Sequence, residues 1–328
     1  MNGNCSTTGC KSPERLPDAA ALEQQWKSID WKKAETEVNR LQTRIAKATQ
    51  EKKWNTVKRL QYLLTHSYDA KVLAVRKVTT NKGKKTPGVD GELWSTPAAK
   101  MRGVLTLTDK GYKAKPLRRV FIEKKGKKAK RPLGIPCMYD RAMQALYALA
   151  LDPVSETTAD TKSFGFRKGR CAQDACEYIF TALSRRNSPQ WVLEGDIKGC
   201  FDHISHDWLI EHIPMDKSVL KQFLKAGFIF ERELFPTDEG TPQGGVISPI
   251  LANMALDGMQ KVLSDRFHTN RLGKVDLRFK NAHKVNLVRY ADDFIVTAAT
   301  KEIAVEAKEI VRDFLQTRGL ELSEEKTV

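Results

Sequence analysis

The stretch Val285-Asn286-Leu287-Val288-Arg289-Tyr290-Ala291-Asp292-Asp293-Phe294-Ile295-Val296-Thr297 restricts the fold more than any other part of the chain. Two runs of strand composition flank a short break, which predicts a tight β-hairpin with Asp292 and Asp293 at its end. Two adjacent carboxylates at such a turn cannot be buried without a partner. A cation satisfies them, and Mg²⁺ suits them because hard divalent ions take carboxylate oxygens and keep positions open for water and phosphate. Taken alone, the pair reads as an ordinary Asp-rich turn.

It does not stand alone. Gln190-Trp191-Val192-Leu193-Glu194-Gly195-Asp196 is a second apolar run that ends on an aspartate. If that strand lies beside the hairpin, Asp196, Asp292 and Asp293 meet at one sheet edge, where like charges coexist only with metal. Such a cluster can hold two Mg²⁺ ions about 4 Å apart, the geometry of in-line phosphoryl or nucleotidyl transfer. The alternative for Asp196 is a helix N-cap at the strand's end.

Tyr290-Ala291-Asp292-Asp293, Asp196-Ile197-Lys198-Gly199-Cys200-Phe201-Asp202 and the intervening Gly240-Thr241-Pro242-Gln243-Gly244-Gly245-Val246-Ile247-Ser248-Pro249 resemble, in order and spacing, the three palm motifs of reverse transcriptases. Within that superfamily the wording is most similar to the reverse transcriptases (maturases) of bacterial group II introns, from about Trp31 to the last residue. The resemblance implies an α/β (α+β) right-hand polymerase fold, with fingers and an antiparallel palm sheet after a helical N-terminal extension. It implies a flexible tail at 1–20, the extension at 21–85, fingers at 86–150 and 209–240, and palm at 151–208 and 241–328. It makes Asp196 and Asp292 the principal metal ligands and Asp293 the third acid, with the Ile197 carbonyl completing the shell. Phe201 would fill the space of a ribose 2′-OH, favouring deoxynucleotides, and Gln243 would touch the incoming nucleotide and template. The glycines of that loop, Gly244 among them, allow close approach of a base pair or sugar. A buried core ring is the alternative for Phe201.

Lys+Arg 56 against Asp+Glu 40 leaves a net charge of +16, which favours a polyanionic partner. No run of eighteen apolar residues and no signal-peptide core occurs, so a cytoplasmic protein without a membrane is expected. Six cysteines, at 5, 10, 137, 171, 176 and 200, lack Cys-x₂-Cys spacing and should stay reduced.

Along the chain, Met1 to Asp18 has no hydrophobic period. From Leu22 to Leu64 apolar residues recur at helical steps, with Asp30 as an N-cap. Arg40, Arg44 and Lys47 fall on the opposite face, which is either solvated or, as the resemblance implies, in contact with RNA. Residues 81–91, including Lys85, read as a mobile Gly-, Lys- and Pro-rich loop and resemble the family's Thr-Pro-Gly-Val-Asp-Gly signature. The basic stretch Lys113 to Arg131 predicts a hairpin with a cationic tip. Similarity to the fingers hairpin would place Lys124 and Arg131 on the β- and γ-phosphates. A helix from Tyr139 should stop before Asp152-Pro153. Phe166, Arg167 and Arg170 precede the next helix and resemble a family element near template and primer. One helix should run through Ile250, Met254, Leu256, Met259 and Val262. Ile303 to Leu315 should form a helix beneath the acidic hairpin, and Lys326 is a candidate cation near the leaving pyrophosphate. In the family the chain continues into a thumb, so a thumb is expected to be absent here.

The expected function is RNA-directed DNA polymerisation: addition of dNTPs to a DNA or RNA primer on an intron RNA template, with intron binding that assists splicing. The alternatives are a non-catalytic intron-RNA-binding module and a reverse transcriptase of a retron or diversity-generating element.

Overall fold

The structure is a computed structural model describing residues 17–123, 130–269, 282–325 and 327. It opens with α1 (Ala19–Lys27), α2 (Trp31–Gln50), α3 (Trp54–His66) and α4 (Tyr68–Thr80). Asp18, Asp30 and Ser67 cap α1, α2 and α4 by accepting from the backbones of Ala21, Lys33 and Ala70. Leu22, Val38, Ile45, Val57, Leu60 and Leu64 are buried, which turns Arg40, Arg44 and Lys47 outward.

The segment expected to be a mobile loop is anchored. After a 3₁₀ turn at Lys82–Lys85, Arg141 donates to the carbonyls of Gly83 at 3.1 Å and Thr86 at 2.6 Å. Gly88 lies so close to Cys137 that a Cβ would stand 2.6 Å from its Cα. Lys85 remains exposed.

Next come α5 (Pro97–Thr106), β1 (Leu117–Glu123), β2 (Lys130–Ile135) and α6 (Met138–Thr158). The expected stop before Pro153 is corrected, because α6 continues through it. A proline leaves the carbonyl four residues earlier without its helical donor. Here Gln42 Nε2 donates to Leu149 O at 2.7 Å, and Gln61 Nε2 donates to Ala150 O at 3.2 Å. Gln42 of α2 thus supplies the one donor that the proline removes, Gln61 of α3 adds a bond to the next carbonyl, and α6 becomes the central buried helix. Truncating a buried α6 residue such as Leu146 or Met143 to Ala would cost about 2–5 kcal/mol.

The rest comprises α7 (Ala172–Leu183), β3 (Trp191–Asp196), α8 (Cys200–His203), α9 (His206–His212), α10 (Lys217–Leu224), β4 (Phe228–Phe230) and β5 (Glu233–Phe235). There follow α11 (Ser248–Leu256), α12 (Met259–Phe267), β6 (Asn286–Tyr290), β7 (Asp293–Ala298) and α13 (Lys301–Gln316). The single helix expected through Ile250 and Val262 is two, broken at Asp257-Gly258, where Gly258 has φ +100°. Asp160 caps the second segment by accepting from the backbones of Gly258 and Gln260.

Two sheets result. One has the order β2-β1-β4-β5, in which two antiparallel hairpins join through a parallel contact of β1 with β4. The other has the order β3-β7-β6 and is antiparallel throughout. Beneath it α13 packs on β3 and β7 through Ala307, Val311 and Leu315, as expected.

Candidate active site

The β6–β7 hairpin turns on Ala291 and Asp292, with Tyr290 paired to Asp293. Ala291 has φ +58°, a region costly for a residue with a Cβ. Its surroundings impose that conformation. Arg289 Nη1 donates to Ala291 O at 3.2 Å and to Asn253 Oδ1 at 3.1 Å, while Asn253 Nδ2 donates to Gly165 O at 2.9 Å. A Cβ on Gly165 would lie 2.3 Å from Ala291 N, so only glycine lets that loop close on the turn.

β3 brings the third acid. Its register with β7 sets Asp196 opposite Asp293, and opposed residues of an antiparallel pair project their side chains to the same face. Beyond β3, Lys198 N donates to Glu321 O and Ser323 N to Asp196 O, both at 2.9 Å. Backbone groups alternate sides along a strand, so the Ile197 carbonyl faces the side of Asp292. Asp196, Ile197, Asp292 and Asp293 line one open cavity of about 740 Å³, together with Arg131, Phe166, Phe201, Asp202, Gln243, Gly244 and Ser248.

Under this rim lies Cys200. Burial pushes its thiol up to about 12, Asp292, Asp202 and Asp196 add to the rise, and Arg289 opposes it. The atoms that line the open space beside it, the carboxylates and the Ile197 carbonyl, are hard oxygen donors. That donor set fits a divalent cation such as Mg²⁺. Among the described residues, however, no group of three or more Asp, Glu, His or Cys side chains is gathered closely enough to hold a metal ion as it stands. The three carboxylates instead face shared open space.

The other sequence candidates divide. Phe201 is half-buried and meets Phe166 edge-on, with ring centroids 6.0 Å apart. Phe166 has φ +60° and is 58% exposed, so its ring forms part of the cavity wall. Arg131 is exposed on β2. Gln243 O accepts from Gly134 N at 2.8 Å, tying the glycine-rich loop to β2. Gly244 follows with φ +108°. Lys124 and Lys326 lie outside the described residues. None of Arg40, Arg44, Lys47 and Lys85 lines the cavity.

Arg167 is a correction. Its side chain is fully buried, with bonds to Asp257 at 2.7 and 2.9 Å and to Glu156 at 3.0 Å, so it cannot reach a nucleic acid. Arg170 donates to the Ser163 and Thr161 carbonyls, which directs it to its own loop.

The sequence reading missed what supports the turn. Arg289 is wholly buried and donates to Asp257 at 2.7 Å, so Asp257 serves two guanidinium groups at once. Burial pushes the Asp257 carboxyl up, and Arg289 and Arg167 pull it back. Two signals were present: an arginine at an inward position of an apolar strand, and an aspartate where a helix breaks.

Residues 122–328 match the family described as reverse transcriptase (RNA-dependent DNA polymerase), and residues 26–107 match the N-terminal domain of reverse transcriptase. The chain belongs to the reverse transcriptase family, and its sheets and helices form the fingers-and-palm fold. It is 32% identical to the group II intron-encoded protein LtrA of Lactococcus lactis subsp. cremoris, over 87% of this chain and 56% of that protein. It is 32% identical to protein YkfC of Escherichia coli (strain K12), over 77% of this chain and 74% of that one. It is also 28% identical to a 91 kDa protein in the cob intron of Schizosaccharomyces pombe, over 79% of this chain and 38% of that protein. The chain spans about half the length of LtrA. Among the described residues no helix is long and apolar enough to cross a membrane.

Proposed function

We propose that this chain is the fingers-and-palm portion of a group II intron RNA-directed DNA polymerase that adds dNTPs to a primer 3′-OH on an RNA template. Its divisions would be a helical extension at 21–85, fingers at 86–150 and 209–240, and palm at 151–208 and 241–328. The observation that carries this reading is the register of Asp196 opposite Asp293 beside the Asp292 turn. Asp196, Asp292, Asp293 and the Ile197 carbonyl would hold two Mg²⁺ ions. Bound there, the ions lower the pKa of an attacking hydroxyl and neutralise a leaving pyrophosphate.

Each remaining role belongs to a protein side chain. Arg131 and Lys124 bind triphosphate oxygens, Arg131 with a planar fork suited to two of them. Phe201 stands where a ribose 2′-OH would need room, and Phe166 supports that ring from the side. Gln243 and Gly244 approach the nucleotide and template from the loop anchored to β2. The outward face of α2, with Arg40, Arg44 and Lys47, and the turn carrying Lys85 bind intron RNA through its phosphates. Such binding would assist splicing in the cytoplasm of a bacterial host.

Primer extension on an RNA template with Mg²⁺, using matched dNTPs and rNTPs, tests the reading. Template-dependent extension with dNTPs is expected, and Phe201→Ala should admit rNTPs. Salt-sensitive intron RNA binding without extension would overturn the polymerase reading in favour of an RNA-binding module. Charge reversal at Arg44 and Lys47 should weaken RNA affinity and reduce the magnitude of the salt slope by about 0.7 per charge.

A further inference from the structure

Gln243 and Asp202 both line the cavity, and one end of the Gln243 amide meets Asp202. Its Nε2 lies 3.1 Å from Asp202 Oδ1 and 2.9 Å from Asp202 Oδ2. A carboxylate only accepts hydrogen bonds, so the end facing Asp202 must be the NH₂ group. The carbonyl Oε1 is therefore the end of the amide that Asp202 leaves unengaged, on a residue that lines the cavity. Among the described residues no hydrogen bond engages that oxygen.

Neither backbone can drift. Thr241 N donates to Phe201 O at 2.6 Å, and Gly240 N donates to Ile204 O at 2.8 Å. Gly240 lies so close to α8 that a Cβ would stand 2.5 Å from Asp202 O. His203 Nδ1 and Glu239 Oε1, 2.8 Å apart, join the same two segments at the rim. The Gln243 carbonyl is pinned to Gly134 of β2 as well. With both main chains fixed, the Asp202–Gln243 bond decides which way the amide points.

We propose that Asp202 is a positioning residue that locks Gln243 as a hydrogen-bond acceptor, so that this wall of the cavity reads donors on the nucleoside and is blind to the triphosphate. The inference rests on the polymerase reading of the site. Phosphate oxygens of a bound nucleotide are acceptors and gain nothing from Oε1, whereas sugar hydroxyls and base amino groups are donors. An amide free to turn would present its NH₂ half of the time and erase that distinction.

Steady-state extension with two nucleotide pairs tests this: dGTP against ddGTP removes the sugar 3′-OH, and dGTP against dITP removes the base 2-amino group. The wild-type chain should prefer dGTP in kcat/KM, and since dITP also loses a hydrogen bond to template cytosine, the donor is named by the pair whose preference Gln243→Leu lowers. Asp202→Ala should reduce that preference about tenfold, chiefly through KM for dGTP, the size expected for one lost hydrogen bond. Gln243→Leu should lose the same preference, and the double variant should lose no more. Asp202→Asn should lose much of it too, because an Asn amide can donate to Oε1 as readily as it accepts from Nε2, and the lock needs a partner that only accepts. Circular dichroism checks each fold, and Asp202→Ser replaces the alanine variant if that one unfolds. Equal loss for every nucleotide, or multiplicative losses at the two positions, would overturn the proposal while leaving the polymerase reading intact. No extension by the wild-type chain would overturn both.

Discussion

Acids around the β6–β7 hairpin are treated in two opposite ways. Asp196 and Asp292 are half-buried and Asp293 is exposed, all facing the open cavity. Asp257, a few residues beneath, is 7% exposed at its side chain and takes bonds from two buried arginines. Buried charge persists only when it is paired and hydrogen-bonded, and Asp257 meets that condition within the protein. The rim acids are gathered by backbone register, which sets like charges side by side. The contrast is between an acid satisfied inside the fold and acids left open to the cavity.

The largest expected effect strikes the rim. Asp292→Asn should lower primer extension on the order of 10³-fold while thermal unfolding moves little or upward, since one of three like charges is removed. A fall in unfolding midpoint matching the loss of activity would erase the contrast.

Asp257→Asn should do the reverse. It leaves Arg289 and Arg167 with unbalanced buried charge, and breaking such a pair costs about 3–5 kcal/mol. Urea unfolding reads this as a lower midpoint with unchanged slope. Unfolding like that of wild type would show that the arginines find other partners.

A third acid, Asp140, is sealed without an arginine. It accepts from the Tyr112 hydroxyl at 2.7 Å and from Lys115 N at 3.3 Å. Burial raises it from 3.8 to about 6, although both bonds pull it down. The folded chain therefore holds a proton that the unfolded chain has already released, so stability from this group is greatest below pH 4 and falls as pH rises to about 6. Comparing Asp140→Asn with wild type across that window should show the difference in unfolding free energy change by about 2–3 kcal/mol. Parallel curves would mean that Asp140 keeps its ordinary acidity.

How much of this was legible depended on where each acid found its partner. Strand composition and adjacency were enough for Asp292 and Asp293, and a third strand ending on Asp196 was visible too. The stop expected at Pro153 failed because Gln42, a polar residue on an otherwise ordinary helix, carries the donor that the proline lacks. Arg167 read as a nucleic-acid contact because charge beside aromatics usually faces solvent, and Asp257 lies ninety residues away in sequence. No local pattern announces a pairing of that span. The same distance hid the break at Gly258, whose reason is the inward turn of Asp257 and the cap from Asp160.

The smallest effect lies at the boundary between the two groups. Glu156 also binds Arg167, at 3.0 Å, yet its side chain is 31% exposed. Water shares its charge, and an exposed ion pair is worth about 0–1 kcal/mol. Glu156→Gln keeps a carbonyl for Arg167 Nη1, and Asp257 still balances the guanidinium, so unfolding should shift by less than about 1 kcal/mol. Added salt should shrink even that shift, whereas the Asp257→Asn deficit should persist because buried pairs are screened much less. A Glu156→Gln loss as large and as salt-insensitive as that of Asp257→Asn would extend the sealed network to the surface, and the division between sealed and open acids would then have to be redrawn.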